Sequence, residues 1–182
     1  MRRPVLFVLL TAFAAGISTA GADQQVVSDP DDSTGRLDIK EVQLSHVQRG
    51  VIRLMITFHE PPEFTPATDE GGDFVVITLD LEPSVRDRYK DILVQGNPDG
   101  GLYGVLRSTG DATLSYVRVW RESEVAIGVE FTRSQLTRGR LAKWADWFVD
   151  TSYYDPEECD DPTDVTGLCF DGAGPKRHRF GG

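Results

Sequence analysis

Three carboxylates crowd into four positions near the start of the chain. In the stretch SDPDDSTGRLDI, Asp29, Asp31 and Asp32 precede a glycine and then a strand-like run. Like charges this close repel one another unless water, a turn or a cation compensates them. Ca²⁺ takes about six to eight oxygen ligands in irregular geometry, so clustered aspartates on a turn suit it. Asp38 is a further candidate ligand, because an unpaired carboxylate inside a strand is costly if buried.

Two interpretations of this acidic stretch fit the sequence. In the first it is an Asx-turn that leads into a strand, with side chains bonded to nearby backbone amides. In the second it is a calcium site formed by Asp29, Asp31, Asp32 and Asp38. The stretch is not an EF-hand, because no glutamate stands at the twelfth loop position. A second acidic run, residues 155–164, has the same two interpretations, and a solvated loop is favoured there over a calcium site. Asp171 in CFDGAG is interpreted as a turn.

Aromatic residues suggest a second kind of site. On a predicted strand over residues 113–120, Tyr116, Arg118 and Trp120 alternate with smaller residues and therefore share one face. If that face is exposed, the rings form a platform on which a sugar ring would stack; the alternative is that they fill the core or its rim. We predict a ligand-binding role for these three residues, with the packing role as the alternative.

The sequence does not favour catalysis. His46, His59 and His178 are scattered, and no G-x-S-x-G or comparable nucleophile motif is present. Paired acids of the glycosidase kind need only be close in space, and Asp80 and Glu130 would be candidates. Because most acids lie in predicted turns and in the tail, we predict that the protein is not an enzyme.

The first residues have the layout of a secretory signal peptide. Arg2 and Arg3 precede an apolar run over residues 5–15, and small residues end at Ala22. The apolar run is shorter than the ~20 residues that a membrane-spanning helix needs. We therefore predict a signal peptide over residues 1–22, secretion of the remainder and no membrane span.

Charge and cysteine content agree with export. The chain has 29 acidic residues against 19 Lys and Arg, with a net charge of −10, so nucleic acid and anionic membranes are disfavoured partners. Its two cysteines, Cys159 and Cys169, have nine residues between them. In an oxidising compartment such a pair is expected to form a disulfide.

Short runs with period-two alternation recur between turn signals from Leu37 onward, which predicts an all-β domain. The expected fold is a single antiparallel β-sandwich of the jelly-roll kind with about eight strands. A helical turn is expected in TRSQLTRG, residues 132–139. The predicted organisation is a signal peptide (1–22), an acidic arm (23–36), the sandwich (37–152) and a disulfide-pinned tail (153–182).

The motif D-P-x-D-x-x-x-G-x-L-D-I, the strand EVAIGVEFTRSQL and the late cysteine pair with CFDGAG resemble secreted bacterial sandwich proteins of unassigned function. More distantly, the strand layout and the acidic stretch are similar to family-nine carbohydrate-binding modules and DOMON-type sandwiches. Those families imply a jelly-roll-like fold with calcium near the first strand and, in some members, sugar or haem ligands. Only the acidic stretch, Asp29, Asp31, Asp32 and Asp38, matches a family site.

The sequence thus predicts a secreted, non-catalytic binding module, calcium-stabilised if the acidic stretch holds an ion. Its expected ligand is a carbohydrate or another extracellular molecule or protein. The alternatives are a structural or protein-interaction domain of the cell envelope and, less favoured, a small extracellular hydrolase.

Overall fold

The protein is described by a computed structural model over residues 24–31, 36–48, 50–66, 72–85, 87–108, 113–137, 142–154 and 168–180. Ten strands and one helical turn make up its regular structure. In chain order they are β1 (Gln25–Ser28), β2 (Ile39–Gln48), β3 (Val51–Phe58), β4 (Phe74–Leu81), β5 (Tyr89–Gly96), β6 (Leu102–Ser108), β7 (Thr113–Ser123), β8 (Ala126–Thr132), α1 (Arg133–Leu136), β9 (Trp144–Tyr154) and β10 (Leu168–Arg179).

All ten strands belong to one antiparallel sheet. Their order is β1-β2-β3-β8-β7-β6-β5-β4-β9-β10, and every pair of neighbours is hydrogen-bonded. The sheet curls until β10 contacts β1 and β2, so that it is nearly closed as a barrel. We call the line along which β10 faces β1 and β2 the seam.

The period-two pattern of the sequence explains which side chains are inside. In β3 every second residue is buried, and the inward set is Ile52, Leu54, Ile56 and Phe58. The same alternation runs along β4 and β5. Burying one large apolar side chain contributes about 1.5–3 kcal/mol, so the inner face of the sheet is the main source of stability. Because successive side chains of a strand point to opposite faces, the residues between the buried ones lie on the outer face of the sheet.

Side chains rather than a backbone ladder join the two edges at the seam. Gln25 of β1 donates from Nε2 to the carbonyl of Arg177 (2.6 Å) and accepts from the indole Nε1 of Trp147 (3.0 Å). Further along, Nε2 of buried His178 lies 3.0 Å from Nε2 of His46 on β2. The hydroxyl of Thr151 donates to the carbonyl of Leu37 (3.0 Å). The seam is therefore held by polar contacts between residues far apart in the sequence.

The prediction of an all-β, antiparallel fold with almost no helix is confirmed. The expected helical turn is α1, where the backbone N–H of Thr132 donates to the side chain of Gln135 (2.7 Å). A sandwich of about eight strands is not confirmed, because the ten strands form one continuous ladder. The difference arises at the edges: β1 lies in the segment predicted as an arm, and β10 in the segment predicted as a tail.

Several predictions fall on residues outside the described ranges. They are the signal peptide over residues 1–22, the metal ligand Asp32 and the acidic run over residues 155–164. The Cys159–Cys169 disulfide is another, because only Cys169 is described; it is buried on β10 and is not a free thiol. Among the described residues, no helix is long and apolar enough to cross a membrane.

Candidate metal centre

Three carboxylates meet at the seam. Asp29, Asp38 and Asp171 each offer an oxygen, and these oxygens all lie within 4.8 Å of one another. Asp29 follows the end of β1, Asp38 precedes β2, and Asp171 lies on β10. The outermost positions of this set, 29 and 171, are 142 residues apart in the sequence and are brought to one point by the closure of the sheet. We call these three residues the acidic cluster.

The backbone fixes each member of the cluster. The N–H of Asp29 donates to the carbonyl of Lys40 (3.0 Å), which extends the β1–β2 pairing by one residue. The carbonyl of Asp38 accepts from the N–H of His59 (3.0 Å), which continues the β2–β3 pairing. Asp171 pairs with Thr151 of β9 and stands between Cys169 and Ala173, whose side chains are buried. Strand alternation therefore turns Asp171 toward the inner side of the seam.

Asp38 is the most unusual member. Its side chain is only 3% exposed, and its Oδ1 is buried with no hydrogen-bond partner. Burial, the negative charge of Asp171 and the nearby carboxylate of Asp31 raise the pKa of Asp38 from an ordinary 3.8 to about 6, against a smaller opposing effect of His59. A buried carboxylate among other carboxylates is costly without a positive charge beside it.

Asp171 is also engaged with the backbone. Its Oδ2 accepts a hydrogen bond from the N–H of Ile39 (2.6 Å). The short distance is typical of a charge-assisted bond. This contact holds the start of β2 against β10 and leaves the other carboxylate oxygen for a further partner.

Asp31 lies at the rim of the cluster. It is close enough to Asp38 to accept a hydrogen bond from its protonated carboxyl, and its Oδ2 is 3.9 Å from Nδ1 of His59. Its side chain is largely exposed. An ion at the acidic cluster would therefore have three close carboxylates and a fourth at the solvent side.

Of the four residues predicted as metal ligands, Asp29 and Asp38 lie in the cluster, Asp31 lies beside it, and Asp32 is outside the described residues. Sequence reasoning missed Asp171, which we interpreted as a turn. No local signal marks it as a ligand, because its proximity to Asp38 depends on β10 closing the sheet. The aspartate lies on an inward position of a strand that contains two glycines and a proline, which hides the alternation.

The predicted ligand-binding residues lie on the outer face of β7. Tyr116 is 74% exposed, and the side chain of Arg118 is 70% exposed. Trp120 is different: its ring covers Gly128 of β8, and the guanidinium carbons of Arg53 and Arg118 lie 5.2 and 5.1 Å from the ring centre. The three residues share one face, but the indole is packed on the sheet and against arginines.

The two acids named as hydrolase candidates are both in ion pairs. Asp80 accepts from Arg88 at 2.8 Å, and Glu130 accepts from Arg53 at 2.8 Å. They lie on β4 and β8, strands that are separated in the sheet by β7, β6 and β5.

The fold and the cluster together define an all-β protein with one nearly closed sheet and carboxylates gathered at its seam. No family model matches the chain, and neither the curated proteins nor the solved structures contain a match. The resemblance to secreted sandwich proteins and carbohydrate-binding modules therefore stays a prediction from the sequence.

Proposed function

We propose that the protein is an exported, non-catalytic binding domain in which a calcium ion at the acidic cluster stabilises the seam. One observation carries this proposal: three carboxylate oxygens lie within 4.8 Å of one another, and one of the three carboxyl groups is buried with an oxygen that lacks a hydrogen-bond partner. A divalent cation is the simplest partner for that oxygen, because it also removes the repulsion among the acids.

The donor set favours calcium over other ions. All the candidate ligands are carboxylate oxygens, which hard cations prefer. Asp29, Asp38 and Asp171 come from three separate segments of the chain. Ca²⁺ tolerates irregular geometry, whereas Mg²⁺ demands near-ideal octahedral coordination and loses its water reluctantly.

The position of the cluster gives the ion a structural role. Asp29 and Asp38 flank the first two strands of the sheet, and Asp171 belongs to the last. An ion bound to all three would link the two edges that no backbone ladder joins. Binding would therefore stabilise the closed sheet by an amount that grows with the logarithm of the ratio of free calcium to Kd, because only the folded chain brings the three acids together.

Calcium titration by calorimetry tests this proposal. We expect one ion per chain, weaker binding of Mg²⁺, and a fall in melting temperature when EDTA is added. D38N and D171N should each weaken calcium binding by about tenfold or more, which corresponds to about 1.4 kcal/mol or more.

D99N is the matched control, because it removes the same charge from an exposed turn between β5 and β6. It should leave calcium affinity unchanged. Absence of binding heat together with an unchanged melting temperature in EDTA would overturn the proposal, and so would equal losses in D99N and D171N.

The rest of the function is proposed on the sequence. Export rests on the signal-like residues 1–22, and a Cys159–Cys169 disulfide suits the compartment that export implies. A carbohydrate ligand is supported by the shared outer face of Tyr116 and Arg118, whose side chains are largely exposed. A glycan array tests it, with Y116A as the variant that should lose binding. An alternative, a protein-interaction domain of the cell envelope, predicts a co-purifying partner that is lost when the acidic residues of positions 155–164 are replaced by their amides, a change that leaves β10 intact.

A further inference from the structure

A surface cavity of about 690 Å³ lies on the outer face of β4, β9 and β10, and Asp171 of the acidic cluster is among its lining residues. Two cross-strand rows form its floor and walls. The first row is Phe170, Ser152 and Phe74, and the second is Gly172, Asp150 and Val76. The volume lies within the range of about 300–1,000 Å³ typical of pockets for small ligands. We call it the outer pocket.

Two residues of β10, Gly172 and Phe170, shape this pocket. Gly172 has no side chain, and a Cβ at that position would come within 2.7 Å of Oδ1 of Asp150, so the carboxylate lies over the glycine. Phe170, two residues earlier, projects from the same face and is 64% exposed. An exposed phenylalanine beside a cavity has apolar surface that a ligand would cover.

Asp150 carries a charge that nothing in the described part of the chain compensates. No described residue donates a hydrogen bond to its carboxylate or forms an ion pair with it. Partial burial, and then the negative charge of Asp171 on the next strand, raise the pKa of Asp150. The electrostatic complement of the pocket is therefore a cation.

We propose that the outer pocket binds an organic cation, an ammonium or guanidinium group on an apolar stem. The cationic group would pair with the Asp150 carboxylate, and the stem would lie against Phe74 and Phe170. Phenylalanine faces attract cations as well as apolar groups, and the attraction is larger where water is displaced. The hydroxyl of Ser152 would accept from an N–H of the cation that does not pair with Asp150.

A neutral sugar fits this chemistry less well. It would stack on Phe170 but would leave the charge of Asp150 uncompensated beside Asp171. The inference deepens the binding role proposed above and rests on it. Asp171 belongs both to the pocket lining and to the acidic cluster, whereas Asp150 and Phe170 belong to the pocket alone. Variants of Asp150 and Phe170 therefore allow the two proposals to fail separately.

The test is an NMR titration of the full chain in calcium with three probes. N-acetyl-lysine amide has the charged stem, N-acetyl-norleucine amide has a similar stem without the charge, and spermidine represents a free polyamine. We expect shifts at Phe170, Gly172 and Asp150 with the two cations and none with the norleucine compound. Tighter binding of spermidine would indicate a free amine as the ligand, and tighter binding of the lysine amide a peptide side chain.

Variants locate the site. D150N should weaken cation binding by about tenfold, because the amide keeps the shape but loses the charge. F170A should weaken it by about threefold, the size expected for one exposed aromatic contact. D99N is the control and should leave it unchanged, and all three variants should bind calcium like the wild type.

Equal binding of the lysine and norleucine amides would overturn the proposal. So would unchanged cation affinity in D150N, or shifts confined to residues outside the pocket. If D150N loses calcium but keeps the cation, the outer pocket is not the cation site, and Asp150 belongs to the calcium centre instead.

Discussion

Oδ2 of Asp171 accepts a hydrogen bond from the backbone N–H of Ile39 at 2.6 Å, across 132 positions of sequence. The contact joins the last strand of the sheet to the start of the second. Ile39 is completely buried, so its N–H depends on this carboxylate as a hydrogen-bond acceptor. Asp171 therefore has two separable roles, one as a hydrogen-bond acceptor and one as a negative charge of the acidic cluster.

Asparagine and alanine at this position separate the two roles. D171N keeps an oxygen that can accept from Ile39 and loses the charge, whereas D171A loses both. In EDTA we expect D171A to be less stable than D171N by about 1–3 kcal/mol, the cost of an unsatisfied buried donor. Urea unfolding of both variants measures it. Equal stability of D171N and D171A would show that the bond to Ile39 contributes nothing.

The raised pKa of Asp38 predicts a pH dependence of the calcium-free protein. The folded pKa of about 6 lies above the ordinary 3.8, so between these values the folded chain holds a proton that the unfolded chain has released. Stability attributable to this group therefore falls as the pH rises through that window. The full cost is present above pH 6.

D38N isolates this effect, because asparagine does not titrate. From pH 4.5 to pH 7.5 in EDTA, we expect the wild type to lose about 1–2 kcal/mol more than D38N in the free energy of unfolding. At pH 7.5 calcium should raise the free energy of unfolding of the wild type by more than it raises that of D38N. A parallel pH dependence of the two proteins would contradict the assignment of the raised pKa to Asp38.

The sequence predicts the centre of this fold better than its edges. The inward residues of β3 to β5 alternate cleanly because a half-buried strand with a full ladder on both sides needs a regular apolar row. β1 has only four residues, and β10 contains Gly172, Gly174 and Pro175 with a register shift after Ala173. Both edge strands tolerate such residues because one side of their backbone lacks a ladder.

The same edges explain what was missed at the acidic cluster. Local crowding of acids identified Asp29, Asp31 and Asp32 as candidates, and the position of Asp38 in a predicted strand identified Asp38. Asp171 reaches them only through the closure of the sheet, and no spacing rule connects positions 38 and 171. A metal ligand from a distant edge strand cannot be found without the order of the strands.

Gly128 is predicted to be intolerant of any side chain because of Trp120. A Cβ on Gly128 would lie 2.2 Å from the indole ring, which is held between β7 and the guanidinium groups of Arg53 and Arg118. G128A should therefore displace the ring and lower the free energy of unfolding by about 1–3 kcal/mol. Tryptophan fluorescence should change in the folded state.

The control for this effect is G128A in a variant that lacks the indole ring of Trp120. In a W120A background, G128A should cost much less, because the two residues are in contact and their effects are not additive. Y116A, on the same face but largely exposed, should leave stability within about 0.5 kcal/mol. An equal cost of G128A in both backgrounds would mean that the backbone, and not the indole, makes the glycine necessary.

Gln25 links three strands with one amide. Its Oε1 accepts from the indole of Trp147, which is completely buried on β9, and its Nε2 donates to the carbonyl of Arg177 on β10. Q25L should lower the free energy of unfolding by about 1–3 kcal/mol, because the buried indole N–H loses its acceptor. Hydrogen exchange should become faster in β10, because this strand loses its hydrogen bond to Gln25 across the seam.

A second substitution determines whether the indole of Trp147 accounts for the stability that Q25L loses. W147F removes the donor, so Q25L added to W147F should cost much less than Q25L alone, and the difference measures the coupling between the two side chains. Calcium should protect β10 from the faster exchange in Q25L, because the acidic cluster bridges the same two edges of the sheet. Exchange in β10 that is unchanged by Q25L would mean that the seam is held without the amide.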